Sequence, residues 1–194
     1  MREIHFYVES KADAKFIANF CEEFFNQTLN PFDKNLFTEL GSWSGYKKDC
    51  PSFKRRSEAG VTNLLILDND VNGRMDEVLQ DKQNLQIEFE LFLFPINVAE
   101  TTGNLETILT EIAVVRKLIE CFQGYENCVA EYGMSLEKAR IYSYLDTLLN
   151  PNFKNDSKND LRKEEFRDYR NTAHWDLNHN ILDPLKDFLR SYLE

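Results

Sequence analysis

The stretch Leu64-Leu65-Ile66-Leu67-Asp68-Asn69-Asp70 decides the reading of this chain. A strand that alternates apolar and polar residues has one wet face, whereas an unbroken aliphatic run is apolar on both. That is what a central strand of a parallel sheet needs when helices cover both sides. The run begins near Val61 and stops on two carboxylates. Upstream, Ile4, Phe6 and Val8 alternate with His5 and Tyr7 and stop at Glu9, which predicts a first strand. Ala12, Phe16, Ile17, Phe20 and Phe24 then recur at helical spacing until residues 26–31 break the pattern. A shorter strand is expected over residues 35–39, opening into Gly41-Ser42-Trp43-Ser44-Gly45. Downstream, a polar helical stretch leads to a fourth strand over residues 87–94, closed by Pro95. Strand and helix alternation predicts an α/β fold: a mainly parallel four-stranded sheet, flanked by helices, with right-handed crossovers.

From Asn104 onward the texture changes. Leu105, Ile108, Leu109 and Ile112, then Leu118, Cys121 and Phe122, then Ala139, Tyr142 and Leu145 read as amphipathic helices. Residues 151–170 hold few apolar side chains and predict an exposed loop or solvated helix before a closing helix over 184–193. The organisation expected is an α/β core over 1–112 and a helical C-terminal extension over 113–194, packed on the same domain. A length of 194 residues suits one substantial core.

Hydrophobic residues make up 42% of the chain and charged residues 29%, which excludes a chain disordered by composition. No run approaches the roughly 18 apolar residues of a membrane helix, and the first residues lack a secretory pattern. The four cysteines, Cys21, Cys50, Cys121 and Cys128, are scattered, without zinc-finger spacing; reduced thiols in a cytoplasmic protein are expected. Cys121 and Cys128 lie seven apart beside Leu118 and Phe122, which reads as a packed helix face. The net charge of −10 opposes sequence-independent attraction to DNA or anionic membranes, so any nucleic-acid contact must be local or metal-assisted.

Ligands of open α/β sheets bind beyond the carboxyl ends of the strands, so acids placed where strands stop carry special weight. Glu9 ends the first strand, and Asp68 and Asp70 end the most buried one. Converging carboxylates repel one another unless a cation separates them. Mg²⁺, with Mn²⁺ as a substitute, is the simplest ion for such a site.

With its order and setting, Val8-Glu9-Ser10-Lys11-Ala12-Asp13 followed by Ile66-Leu67-Asp68-Asn69-Asp70-Val71-Asn72-Gly73 resembles the Toprim signature of topoisomerases, primases and OLD-type nucleases. There a glutamate closes strand one and an Asp-x-Asp closes a later strand. The resemblance covers roughly residues 3–112. Leu93-Phe94-Pro95 with Gly103-Asn104-Leu105-Glu106 is similar to the small stand-alone Toprim-related proteins. It implies a Toprim-like, Rossmann-like fold, with Glu9 as general acid/base or metal ligand, Asp68 and Asp70 as metal ligands, and Asp13 and Glu106 in support. One departure stands out: Ser10 occupies the position where the family usually has glycine.

Lys47, Lys48, Lys54, Arg55 and Arg56 crowd a short stretch whose only acid is Asp49, with Trp43, Tyr46 and Phe53 interleaved. Cations for phosphates and flat rings for bases are what single strands require. The alternative is a solvated helix face whose aromatics turn into the core. His5 reads as a packed strand residue. His174 and His179 miss the spacing that aligns two ligands on one helix. No Gly-x-Ser-x-Gly elbow or Gly-Lys-Ser/Thr loop is present. Tyr125, Tyr132, Tyr142 and Tyr144 are set aside as topoisomerase-like nucleophiles, because the chain has no room for the domains that hold and pass DNA. The expected function is a Mg²⁺-dependent phosphodiester hydrolase acting on nucleic acid. The alternative is a non-catalytic nucleotide- or metal-binding module that works with a partner such as a separate ATPase or nuclease.

Overall fold

The computed structural model describes residues 3–132, 136–148 and 163–194. Strands β1 (Ile4–Val8), β2 (Phe37–Glu39), β3 (Thr62–Asp68) and β4 (Glu90–Phe94) form one all-parallel sheet in the order β2-β1-β3-β4. The central position expected for Leu64 to Leu67 is realised: β3 pairs with β1 on one side and β4 on the other, and Asn63 to Leu67 are all buried. The strand over residues 87–94 starts later than its alternation suggests, at Glu90. The Asn63 side chain donates to the Glu88 carbonyl at 2.9 Å and to the Phe53 carbonyl at 3.1 Å, so a side-chain bond anchors the approach to the strand.

Three helices connect the strands: α1 (Lys11–Phe25), α2 (Cys50–Glu58) and α3 (Arg74–Leu85). Alternation along each strand separates two cores. Phe6, Val8, Leu64, Ile66, Phe92 and Phe94 meet Phe16, Ile17 and Phe20 of α1 on one face. Tyr7, Leu65, Leu67 and Leu93 meet Tyr46, Phe53 and Val78 on the other. α1 therefore lies on one side, and α2 and α3 on the other. Right-handed crossovers demand this arrangement when the chain first moves from β1 to β2 and then reverses across the sheet. The result is a Rossmann-like, doubly wound three-layer fold.

The rest of the chain thickens the α1 layer with α4 (Leu105–Ile112), α5 (Arg116–Val129), α6 (Glu137–Leu148) and α7 (Asp183–Leu193). Ile108, Ile112, Ile141, Tyr144, Trp175, Leu185 and Leu189 belong to the same buried cluster as the sheet, so their core is continuous with it. Burying each such side chain contributes roughly 1.5–3 kcal/mol. Arg140 binds both carboxylate oxygens of Glu126 at 2.9 Å, tying α6 to α5.

Two expectations are corrected. Residues 151–162 lie outside the described residues, but beyond them the segment is not simply solvated: Arg167 and Tyr169 are buried. The Tyr169 ring packs edge-on against Phe16, and its backbone N–H donates to Asn19 Oδ1 at 3.0 Å. Two anchors suffice to hold a polar stretch on α1. Cys121 and Cys128, expected within a packed face, are exposed, because Ile119 is the only fully buried side chain of α5. No helix among the described residues is long and apolar enough to cross a membrane.

Candidate functional site

In the order β2-β1-β3-β4 the chain leaves β1 in one direction and later crosses to its other side. The crevice beyond the carboxyl ends of β1 and β3 is therefore the topological switch point, where open α/β sheets take their ligands. Glu9 follows β1 directly and Asp68 closes β3. The Asp68 backbone N–H donates to Glu9 Oε1 at 2.9 Å, so the two strand ends are clasped at that crevice. Asp68 Oδ1 accepts the Leu105 N–H at 3.2 Å, which turns the start of α4 towards the same point.

The start of α1 is built by a capping box. Ser10 Oγ accepts from the Asp13 N–H, while Asp13 Oδ2 accepts from Ser10 N–H at 2.8 Å and from Ser10 Oγ at 2.9 Å. This gives Ser10 a structural task at the position where a glycine would leave the helix start bare. It also fixes Asp13, almost wholly buried, behind Glu9 and Asp68.

Burial is the largest influence on all three acids and raises their pKa values. Mutual repulsion adds to it. Asp68 is pushed up to about 9 by burial and then by the charges of Asp13, Glu9, Asp70 and Glu106. Asp13 is pushed up to about 7 by burial, against its bonds to Ser10 and with the charges of Glu9 and Glu106. Glu9 is raised by burial and by Asp70, while the Asp68 N–H, Arg74 and Lys138 pull it back. All five acids singled out from the sequence thus share one electrostatic neighbourhood. Near neutrality the Asp13 and Asp68 pair holds protons that an isolated carboxylate would have lost.

Among the described residues, no three His, Cys, Asp or Glu side chains stand close enough together to hold a metal ion between them as arranged. Mg²⁺ makes a smaller demand, since one or two carboxylates with water and substrate phosphate suffice. The donor chemistry fits it: the set is all oxygen, Asp70 is exposed, and Glu9 and Asp68 each commit only one oxygen to the backbone bonds above. An ion placed there would be held by Asp70 with the second oxygen of Asp68 or Glu9.

The basic stretch divides. Of its aromatics, Tyr46 and Phe53 turn inward and are buried, and Trp43 is half-buried. Lys47 lies 2.7 Å from Asp81 and 3.6 Å from Glu77. Arg56 donates to Tyr7 Oη at 2.7 Å and to Ser52 Oγ. Lys48, Lys54 and Arg55 are exposed and make no ion pair among the described residues. Because α2 runs back from the carboxyl edge of the sheet, Lys47 and Lys48 sit nearest the acids and Arg55 and Arg56 furthest away. His5 is buried, with Nδ1 donating to the Asn35 carbonyl at 2.8 Å and Nε2 2.8 Å from Thr38 Oγ1.

Two residues of the site escaped the sequence reading. Asn69, between the two aspartates, is fully buried, and its Nδ2 donates to the Thr101 carbonyl at 2.8 Å and approaches those of Val98 and Ala99 at 3.3 Å. Its backbone exchanges two bonds of 2.9 Å with Gly103. Together these bring residues 98–104 beside Asp68 and so deliver the Leu105 N–H. Gly103 is required there, because a Cβ would lie 2.9 Å from Thr107 Oγ1 and 3.0 Å from Pro95. Arg74, at the start of α3, is also buried, with its guanidinium 3.7 Å from the centre of the Trp43 ring. The signal for Asn69 was its place inside Asp-x-Asp; Arg74 had no local signal. No protein-family model matches the chain, and no similar curated protein or solved structure was found.

Proposed function

We propose that this chain is a Mg²⁺-dependent phosphodiester hydrolase of Toprim type, acting on nucleic acid at the acidic crevice between β1 and β3. The observation that supports the reading is that Glu9, Asp13, Asp68, Asp70 and Glu106 share one electrostatic neighbourhood at the switch point, where burial and mutual repulsion raise the proton affinity of Glu9, Asp13 and Asp68. Proteins retain such shifts where function requires them. When bound, the ion would offset charge on the phosphoryl oxygens and lower the pKa of a coordinated water. Asp68 and Asp70 would hold it, and Glu9, with its raised proton affinity, would take the proton of the attacking water. Asp13 and Glu106 would support Asp68 from behind. Of the basic stretch, the exposed Lys48, Lys54 and Arg55 would orient the strand, while Lys47 and Arg56 keep their partners within the protein.

The test is titration of Mg²⁺ and Mn²⁺ into the wild type and the Asp68→Asn/Asp70→Asn variant, with oligonucleotide cleavage followed in parallel. Loss of both binding and cleavage in the variant is expected. Asp70→Asn alone should abolish cleavage without unfolding the chain, and retained activity would refute its role.

A second reading has its own support. Ser10 and Asp13 are committed to a capping box, and Lys47 and Arg56 are engaged within the protein. These favour a non-catalytic Toprim-like module that binds a metal or nucleotide, or works with a separate ATPase or nuclease. Its signature is Mg²⁺ binding that depends on Asp68 and Asp70, without cleavage of single- or double-stranded DNA or RNA.

A further inference from the structure

Arg74 carries five N–H donors on a side chain that is only 5% exposed, yet among the described residues its guanidinium makes no hydrogen bond. Its Nε is buried without a partner, and its one ion pair, to Glu77 Oε2, is long at 3.7 Å. A buried guanidinium without acceptors is costly, and such groups are normally met by a carboxylate or a phosphate. The site is otherwise built. Arg74 follows β3 and Trp43 follows β2, and β1 runs between those strands. A guanidinium 3.7 Å from the centre of the Trp43 ring therefore reaches over the carboxyl end of β1, where Glu9 feels its charge. Contact with the ring face uses none of the guanidinium's N–H groups, which leaves them to a planar or tetrahedral oxyanion.

We propose that Arg74 is a phosphate-binding residue, held against Trp43 so that its fork takes a phosphoryl group beside Glu9. The ligand class is a phosphate monoester or diester. That this phosphate belongs to the substrate rests on the hydrolase reading above; the binding itself does not. The basic stretch supplies diffuse attraction, whereas Arg74 would supply the one preorganised, bidentate contact.

The experiment is titration of inorganic phosphate into the full chain, with and without Mg²⁺, followed by calorimetry and by tryptophan fluorescence. The variants are Arg74→Met and Arg74→Lys, with circular dichroism as the fold control. Saturable binding that perturbs the fluorescence is expected. Arg74→Met should weaken it by about tenfold or more, the scale of one charged bidentate contact. Arg74→Lys keeps the charge but not the fork and should fall between, which decides the matter if the methionine variant does not fold. Wild-type affinity in Arg74→Lys and in any folded Arg74→Met, or no saturable binding of millimolar phosphate to the wild type, would overturn the proposal. Phosphate binding that depends on Arg74 in a chain that cleaves nothing would remove the hydrolase reading and leave the phosphate site. Cleavage that depends on Asp70, with phosphate binding indifferent to Arg74, would do the reverse.

Discussion

Replacing Asp68 by asparagine should stabilise the protein. The amide keeps an oxygen for the Leu105 N–H and removes the charge that burial and four neighbouring acids oppose. The folded-state pKa is raised, to about 9, above the ordinary carboxylate value near 4. Asp68 in the folded chain thus keeps a proton that the unfolded chain has released. Its contribution to stability is complete below about pH 4 and is lost as pH rises towards the folded value, at about 1.4 kcal/mol per pH unit. Between about pH 4 and pH 7 the ceiling is about 4 kcal/mol, and local relaxation with water entry brings it to about 2 kcal/mol. For a chain of this size that corresponds to a gain of about 4–8 °C in Tm at neutral pH. The assay is thermal unfolding of wild type and Asp68→Asn across this pH range, in chelator and again with Mg²⁺. In chelator the gain should vanish near pH 4 and grow through neutrality. Mg²⁺ should raise the Tm of the wild type more than that of the variant. A variant less stable than wild type at neutral pH, or a gain independent of pH, would refute the electrostatic account of the site.

Gly45→Ala should destabilise by about 2–3 kcal/mol and lower the urea midpoint by about 1 M, because its Cβ would fall on the Leu40 carbonyl oxygen and 2.8 Å from Leu40 Cβ; an unchanged midpoint would show that the turn yields freely. Maleimide labelling under native conditions, mapped by mass spectrometry, should reach the exposed Cys121 and Cys128 and spare Cys21, whose thiol burial pushes up to about 12; native labelling of Cys21 would contradict its place in the core. Burial chiefly lowers the His5 pKa, to about 4, so its stabilising contribution is complete above the ordinary value near 6.5 and is lost as pH falls towards 4. Its ring NMR signals should hold their neutral positions until close to that value, and a midpoint near 6.5 would mean that the β1 to β2 edge is open.

The four strands and the helices of both halves are legible in the local pattern because each periodicity reports which face a residue turns to the core. Leu64 to Leu67 is apolar throughout because both of its faces are covered, and the pattern states this before any partner is known. Glu9, Asp68 and Asp70 are legible for a related reason: they are the carboxylates that stand at, or within two residues of, the point where an apolar strand ends. The fate of the basic stretch is not local. Whether Tyr46 and Phe53 face solvent depends on α2 lying over Tyr7 and Leu65, and whether Lys47 is free depends on Asp81, 34 residues away.

The sequence by itself therefore determined the parallel α/β sheet and the acids at its strand ends, because both follow from spacing along one element. The tertiary structure alone decided that β1 and β3 are neighbours and that Asn69 brings the start of α4 onto Asp68. It alone placed Arg74 on Trp43 above Glu9. Those contacts join residues far apart in the chain, and their energies depend on burial and on charges supplied by other elements, which no local pattern encodes.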